Sequence, residues 1–150
     1  MAEPLEPRRL LSAELVKDIN LVPAEIAGLP GGLVAMNDTL YFFHEDLHHG
    51  VELWKSDGTA EGTEVVKDIY PGPGSSSPAN LTAIDGTLYF AADDGVHGME
   101  LWKSDGTQAG TVLVRDLRIG TASSIPSNFT NVNGTLFFIA KDDVPGRELW

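Results

Sequence analysis

The segment Glu100-Leu101-Trp102-Lys103-Ser104-Asp105-Gly106-Thr107 repeats Glu52-Leu53-Trp54-Lys55-Ser56-Asp57-Gly58-Thr59 letter for letter, at a distance of 48 residues. A third Glu-Leu-Trp follows at the same interval, at Glu148-Leu149-Trp150. Aligning residues 52–99 with 100–147 needs no gap and gives 26 identities in 48 positions. Self-similarity at a fixed period of this length marks a chain built by duplication of one structural unit. The first copy is more worn. Thr39-Leu40-Tyr41-Phe42 matches Thr87-Leu88-Tyr89-Phe90 in register, whereas Val16-Lys17-Asp18-Ile19 matches Val66-Lys67-Asp68-Ile69 after a two-residue shift. Repetition therefore covers the chain from about residue 14 onward.

Each unit is predicted to hold four short strands. In the second copy a run from Asn80 to Ile84 meets Thr87 to Asp93 across Asp85-Gly86, and the third copy has Asn133-Gly134 there. Both pairs tolerate positive φ at two successive positions, which a type I′ hairpin requires. A third strand passes through Glu100-Leu101-Trp102-Lys103, and the turn from Asp105 to Gly110 leads into a fourth, Thr111 to Leu117. A Gly, Ser and Pro-rich connection, Arg118 to Ser127, then carries the chain to the next unit. The second strand, Leu88-Tyr89-Phe90-Ala91-Ala92, is apolar on both faces, so each sheet must be covered on both sides. Neighbouring copies can supply that cover, which predicts an all-β fold of the β-propeller type with four-stranded antiparallel blades. The expected limits are a tail over 1–13, a lone fourth strand over 14–19, and blades over 33–69, 80–117 and, in part, 129–150.

Three blades are fewer than the about four to eight of closed propellers. The sequence ends inside the third strand of its last unit, and residues 14–19 form a fourth strand with no blade before them. Unpaired edges of this kind are templates for pairing. The expectation is exchange between chains, closing as a homodimer with six blades, with a nine-bladed trimer as the alternative. A fragment of a longer array is the plain rival.

Composition limits the partners. The chain has 150 residues and 22 acidic against 10 basic side chains, a net charge of −12. Such a surface repels nucleic acid. No apolar run is long enough for a membrane-spanning helix, and the opening residues lack the apolar core of a signal peptide. With no cysteine, thiolate catalysis and Cys-based zinc sites are excluded.

The segments ELWKSDGTAEGT and ELWKSDGTQAGT resemble the ELWxxDGT repeat family of long bacterial extracellular and surface-associated proteins, a resemblance that covers residues 14–150. It implies a secreted or cell-surface β-repeat protein and carries no catalytic residue with it. Leu5-Glu6-Pro7-Arg8-Arg9-Leu10-Leu11-Ser12 is similar to the LEPR-x-LL motif near the N-termini of large bacterial surface proteins.

Few residues read as chemistry. Trp54, Trp102 and Trp150 recur once per unit and are expected to fill the gap to the next sheet rather than to form a platform for sugars. Asp57 and Asp105, each before Gly58 or Gly106, could offer oxygens to Ca²⁺, but the spacing is not that of an EF-hand and an Asx turn is the simpler role. Asp18, Asp68 and Asp116 read as acceptors at strand ends. His44, Glu45, Asp46, His48 and His49 form the densest polar cluster and are weak candidates for a divalent metal. The corresponding loops, Asp93-Asp94-Gly95-Val96-His97 and Lys141-Asp142-Asp143-Val144-Pro145, make this cluster peculiar to the first copy, and His48 and His49 would point apart in extended chain. Ser75-Ser76-Ser77 and Ser123-Ser124 read as linker polarity. No nucleophile elbow, P-loop or dinucleotide fingerprint is present. A non-enzymatic scaffold or a module binding a glycan or protein is the leading expectation, with no cofactor. A self-assembling block without ligand is the alternative, and a carbohydrate-active enzyme a further one.

Overall fold

The computed structural model describes residues 30–150. They form β-strands and turns with no helix, and so no helix among them is long and apolar enough to cross a membrane. Eleven strands among the described residues fall into three antiparallel sheets in sequence order. The first sheet holds β1 (Gly31–Met36), β2 (Thr39–Asp46), β3 (Gly50–Ser56) and β4 (Glu64–Lys67). The second holds β5 (Ala79–Ile84), β6 (Thr87–Asp93), β7 (Met99–Ser104) and β8 (Val112–Arg115). The third holds β9 (Ser127–Val132), β10 (Thr135–Ala140) and β11 (Glu148–Leu149). Each is a simple meander and none closes on itself. The expected tail over 1–13 and strand over 14–19 lie outside the described residues.

The hairpins between first and second strands turn as their residues dictate. Asn37-Asp38, Asp85-Gly86 and Asn133-Gly134 all have positive φ at both positions, the backbone twist that suits a two-residue antiparallel turn. The first strand of each sheet also slips register near its start, between Gly31 and Val34 and between Ala79 and Thr82.

Apolar faces join the sheets. Leu88, Phe90, Ala92 and Trp102 point from the second sheet into one buried cluster with Met36, Tyr41, Phe43 and Leu53 of the first. The opposite face of the second sheet gives Leu101, Leu117 and Tyr89 to a cluster with Phe138, Ala140, Leu136 and Trp150 of the third. Both faces of β6 are thus used, which is why its sequence does not alternate. The first strands, β1, β5 and β9, lie against one another in succession.

One set of four positions recurs on the equivalent face of each sheet, which in the first two sheets turns toward the next. It comprises Met36, Tyr41, Phe43 and Leu53 in the first sheet, Ile84, Tyr89, Ala91 and Leu101 in the second, and Val132, Phe137, Ile139 and Leu149 in the third. All of the first set are buried, as are Ile84, Ala91 and Leu101. In the third sheet Val132, Phe137 and Leu149 are exposed.

The fourth strands are shorter than the sequence suggested. Thr111 precedes β8 because its hydroxyl is spent on Ser104 Oγ and the Thr107 carbonyl, at 2.7 Å each. Leu117 lies beyond β8 because its N–H is taken by a carboxylate of the neighbouring strand, described next.

Candidate functional site

The corner where Glu-Leu-Trp meets Ser-Asp-Gly-Thr carries nearly all the buried polar chemistry. Glu52 on β3 and Glu100 on β7 are both fully buried. Glu52 accepts the backbone N–H groups of Ile69 and Tyr70 at 3.2 Å, that of Ser76 at 3.1 Å, and lies 2.7 Å from Ser76 Oγ. Glu100 repeats this with Leu117 N at 3.2 Å, Ser124 N at 2.9 Å and Ser124 Oγ at 2.6 Å. The carboxylate therefore ends the fourth strand and folds the exit loop back against the third.

The same serine ties each sheet to its successor. Ser76 donates its N–H toward Val51 while its carbonyl accepts Asp93 N at 2.9 Å. Ser124 likewise accepts Lys141 N at 2.8 Å. Ser76 and Ser124 are fully buried, so what the sequence reads as linker polarity is spent on hydrogen bonds inside the fold. The sequence signal was a serine 24 residues after each glutamate of the repeat; it carried no meaning until the loop was seen to return to the strand.

Burial pushes the Glu52 carboxyl up to about 7, against the Ser76 hydroxyl and the three backbone donors, which favour its ionised form. Burial also raises Glu100, opposed by Ser124 and Leu117 and assisted by the nearby Asp116 charge.

The Ser-Asp-Gly-Thr turn is a closed network in both copies. Asp57 Oδ1 accepts Thr59 N at 2.9 Å and Thr59 Oγ1 at 2.7 Å, and Asp105 does the same for Thr107. The threonine hydroxyls first, then the backbone donors, hold both carboxyls below the usual range. Gly58 and Gly106 have φ of +92° and +89°, and at Gly106 a Cβ would also strike the hydroxyl of Tyr41. Asp68 and Asp116 accept Gly72 N and Gly120 N at 3.0 and 3.1 Å. Asp18 lies outside the described residues.

Trp54 and Trp102 are buried and thus offer no platform to a sugar. The indole N–H of Trp54, Trp102 and Trp150 has no hydrogen-bond partner among the described residues. A cation from the preceding sheet lies over two of the rings instead: Lys67 Nζ is 5.8 Å from the Trp102 centroid and the Arg115 guanidinium 5.9 Å from that of Trp150. Lys67 also donates to Thr111 O at 2.8 Å and Lys55 to Gly106 O at 3.3 Å, so both lysines bridge the first sheet to the second.

The histidine cluster separates. His44 is buried on β2 with its ring edge-on to Trp54, centroids 5.3 Å apart. Asp46 instead organises the turn after β2, accepting His48 N at 2.9 Å and His49 N at 2.6 Å, with His49 Nδ1 at 2.9 Å from Oδ2. His48 and His49 are in a turn rather than extended chain, and their rings meet edge to face at 6.2 Å. Among the described residues no three His, Asp or Glu side chains are grouped to hold a metal ion. One pair of the cluster does recur, although His44 and His48 fall on Ala92 and Val96 in the second copy. At the 48-residue interval Asp46 and His49 fall on Asp94 and His97, and His97 Nδ1 lies 2.7 Å from Asp94 Oδ2. The side-chain bond to Asp94 raises His97, and although burial pushes Asp94 up, the bonds from His97 and Val96 hold it below its ordinary value.

Beside each Ser-Asp-Gly-Thr turn lies a shallow cleft. The first, about 270 Å³, is lined by Thr39, Tyr41, Lys55, Asp57, Gly62 and Glu64. The second, about 300 Å³, includes the equivalent Thr87, Lys103, Asp105, Gly110 and Val112.

Comparison of the chain with protein-family models, curated proteins and solved structures finds no match.

Proposed function

We propose that this chain is a non-enzymatic extracellular repeat module of the ELWxxDGT type, a β-propeller arc that serves as a scaffold and presents the same surface once per sheet. The observation that carries the reading is the fate of the repeated acids. Glu52, Glu100, Asp57 and Asp105 direct their oxygens to donors of their own corner, at equivalent atoms in two copies. Acid and base catalysis by carboxylates needs two groups in unlike environments, whereas these environments repeat. Face-to-face stacking in sequence order supports the propeller, with copies closing by exchange of residues 14–19 into a homodimer with six blades.

A binding role for the arc is favoured by the recurring cleft, which sets a lysine ammonium and an aspartate carboxylate at the same places in successive sheets. Hydroxyl-rich glycans suit such alternating donors and acceptors. The test is a glycan array run beside a panel of polysaccharides incubated with the protein. Retention of a glycan without release of reducing ends supports the binding module, and a folded oligomer retaining none supports the bare scaffold. Release of reducing ends overturns the non-enzymatic reading.

A further inference from the structure

The two recurring clefts are not alike in charge. Of the positions that line both of them, only one changes residue between the copies, with Glu64 in the first and Val112 in the second. That difference decides the state of the lysine. Lys55 stands directly opposite Glu64 across β3 and β4, and its ammonium lies 3.2 Å from Glu64 Oε1. Lys103 stands in the same register opposite Val112 and forms no ion pair among the described residues. The first cleft therefore neutralises its own cation, and the second does not.

The rest of the second cleft offers the contacts that a sugar ring uses. Asp105 gives Oδ1 to the N–H and hydroxyl of Thr107, and a carboxylate has acceptor capacity beyond two bonds. Val112 is 36% exposed and presents apolar surface on which the C–H face of a ring can lie. The opening is a property of the corner rather than of a missing neighbour, since the first cleft stays open although Gly106 of the second sheet packs against Tyr41 in its lining. We infer that the cleft lined by Lys103, Asp105 and Val112 is a subsite for a uronate residue of a glycan, its carboxylate on the Lys103 ammonium and its hydroxyls on Asp105 and Thr87. The ligand carries its acid singly. With a net charge of −12 the chain repels a polyanion, whereas a lone carboxylate meets the ammonium at contact range, inside the distance over which salt screens the remaining charges. In the first cleft Glu64 occupies the lysine and turns a second carboxylate away. The inference rests on the glycan-binding reading and adds which sugar is bound and which copy binds it.

The repeat itself supplies the variants for the test. Glycans containing a single glucuronate or galacturonate are arrayed against the full chain beside the same glycans after reduction of the carboxyl to an alcohol, and the best-retained pair is taken to titration calorimetry. The uronate form is expected to bind at one site per chain and about ten-fold or more tighter than its reduced form, the effect of roughly one charge-assisted bond. Val112→Glu should abolish that preference, and Lys103→Met, which removes the ammonium without adding a carboxylate, should do the same. Glu64→Val should raise the uronate sites per chain from one to two. Val112→Glu and Glu64→Val each install the residue that the other copy already holds, and β-sheet circular dichroism checks the fold. Equal affinity for acid and reduced forms, a folded Val112→Glu or Lys103→Met chain that keeps the preference, or a folded Glu64→Val chain with a single site overturns the uronate subsite and leaves the glycan reading standing. Retention of no glycan in either form overturns both.

Discussion

Glu100 receives backbone donors that have nowhere else to turn, because the loop carrying Leu117 and Ser124 is buried against the strand. Removing the carboxylate leaves two N–H groups orphaned, and Glu100→Ala should destabilise by about 2 to 4 kcal/mol in urea unfolding. Trp102→Ala should cost about 3 to 5 kcal/mol for the lost ring and the cavity between the sheets. A Trp102→Ala protein as stable as the parent would remove the tryptophan from the core account. Acidity adds a second handle on the same corner. The Glu52 carboxyl titrates near 4.5 when unfolded and about 7 when folded, so the folded chain holds the extra proton between those values. The group's contribution is complete below pH 4.5 and is lost as pH rises through about 7. Urea midpoints of the parent should therefore fall more between pH 5 and pH 8 than those of Glu52→Gln; parallel profiles would contradict the burial argument. For the half-buried pair Asp94 and His97, NMR titration of Asp94→Asn should return the His97 ring toward its ordinary value.

Between sheets, one tight constraint on an element is the approach of β2 to the turn of the next sheet. Gly106 combines φ of +89° with contact to the Tyr41 hydroxyl. Gly106→Ala should destabilise by about 2 kcal/mol or more, from the left-handed backbone and the clash together. Tyr41→Phe removes the hydroxyl, so the double variant should be less unstable than the sum of the two, a coupling that a thermodynamic cycle measures. Much of this level was legible beforehand. Asp85-Gly86 and Asn133-Gly134 announced their turns, because few other pairs accept positive φ twice, and the double-sided apolar run of β6 announced that two sheets would cover it. What stayed hidden was non-local. The ends of β4 and β8 depend on Glu52 and Glu100, 17 residues before the N–H groups they capture, and no window along the strand contains that partner. Asp46 and His49 were visible as ligating types, yet only the turn geometry shows them paired with each other and repeated at Asp94 and His97.

Among the described residues the same interface is used twice, and its third occurrence is exposed. The face bearing Tyr41 and Leu53 meets the second sheet, the face bearing Tyr89 and Leu101 meets the third, and that bearing Phe137 and Leu149 meets water. Period and pattern in the sequence were enough to foresee a stack of antiparallel sheets, since each copy repeats the same residues at the same spacing. The proposed closure of the stack rests on contacts between distant ends, about which one copy's pattern is silent. Mass in solution bears on it most directly. Light scattering from the full chain at micromolar concentration should give twice the chain mass of 16.1 kDa, and a single, concentration-independent mass of 16.1 kDa would contradict closure by a second copy.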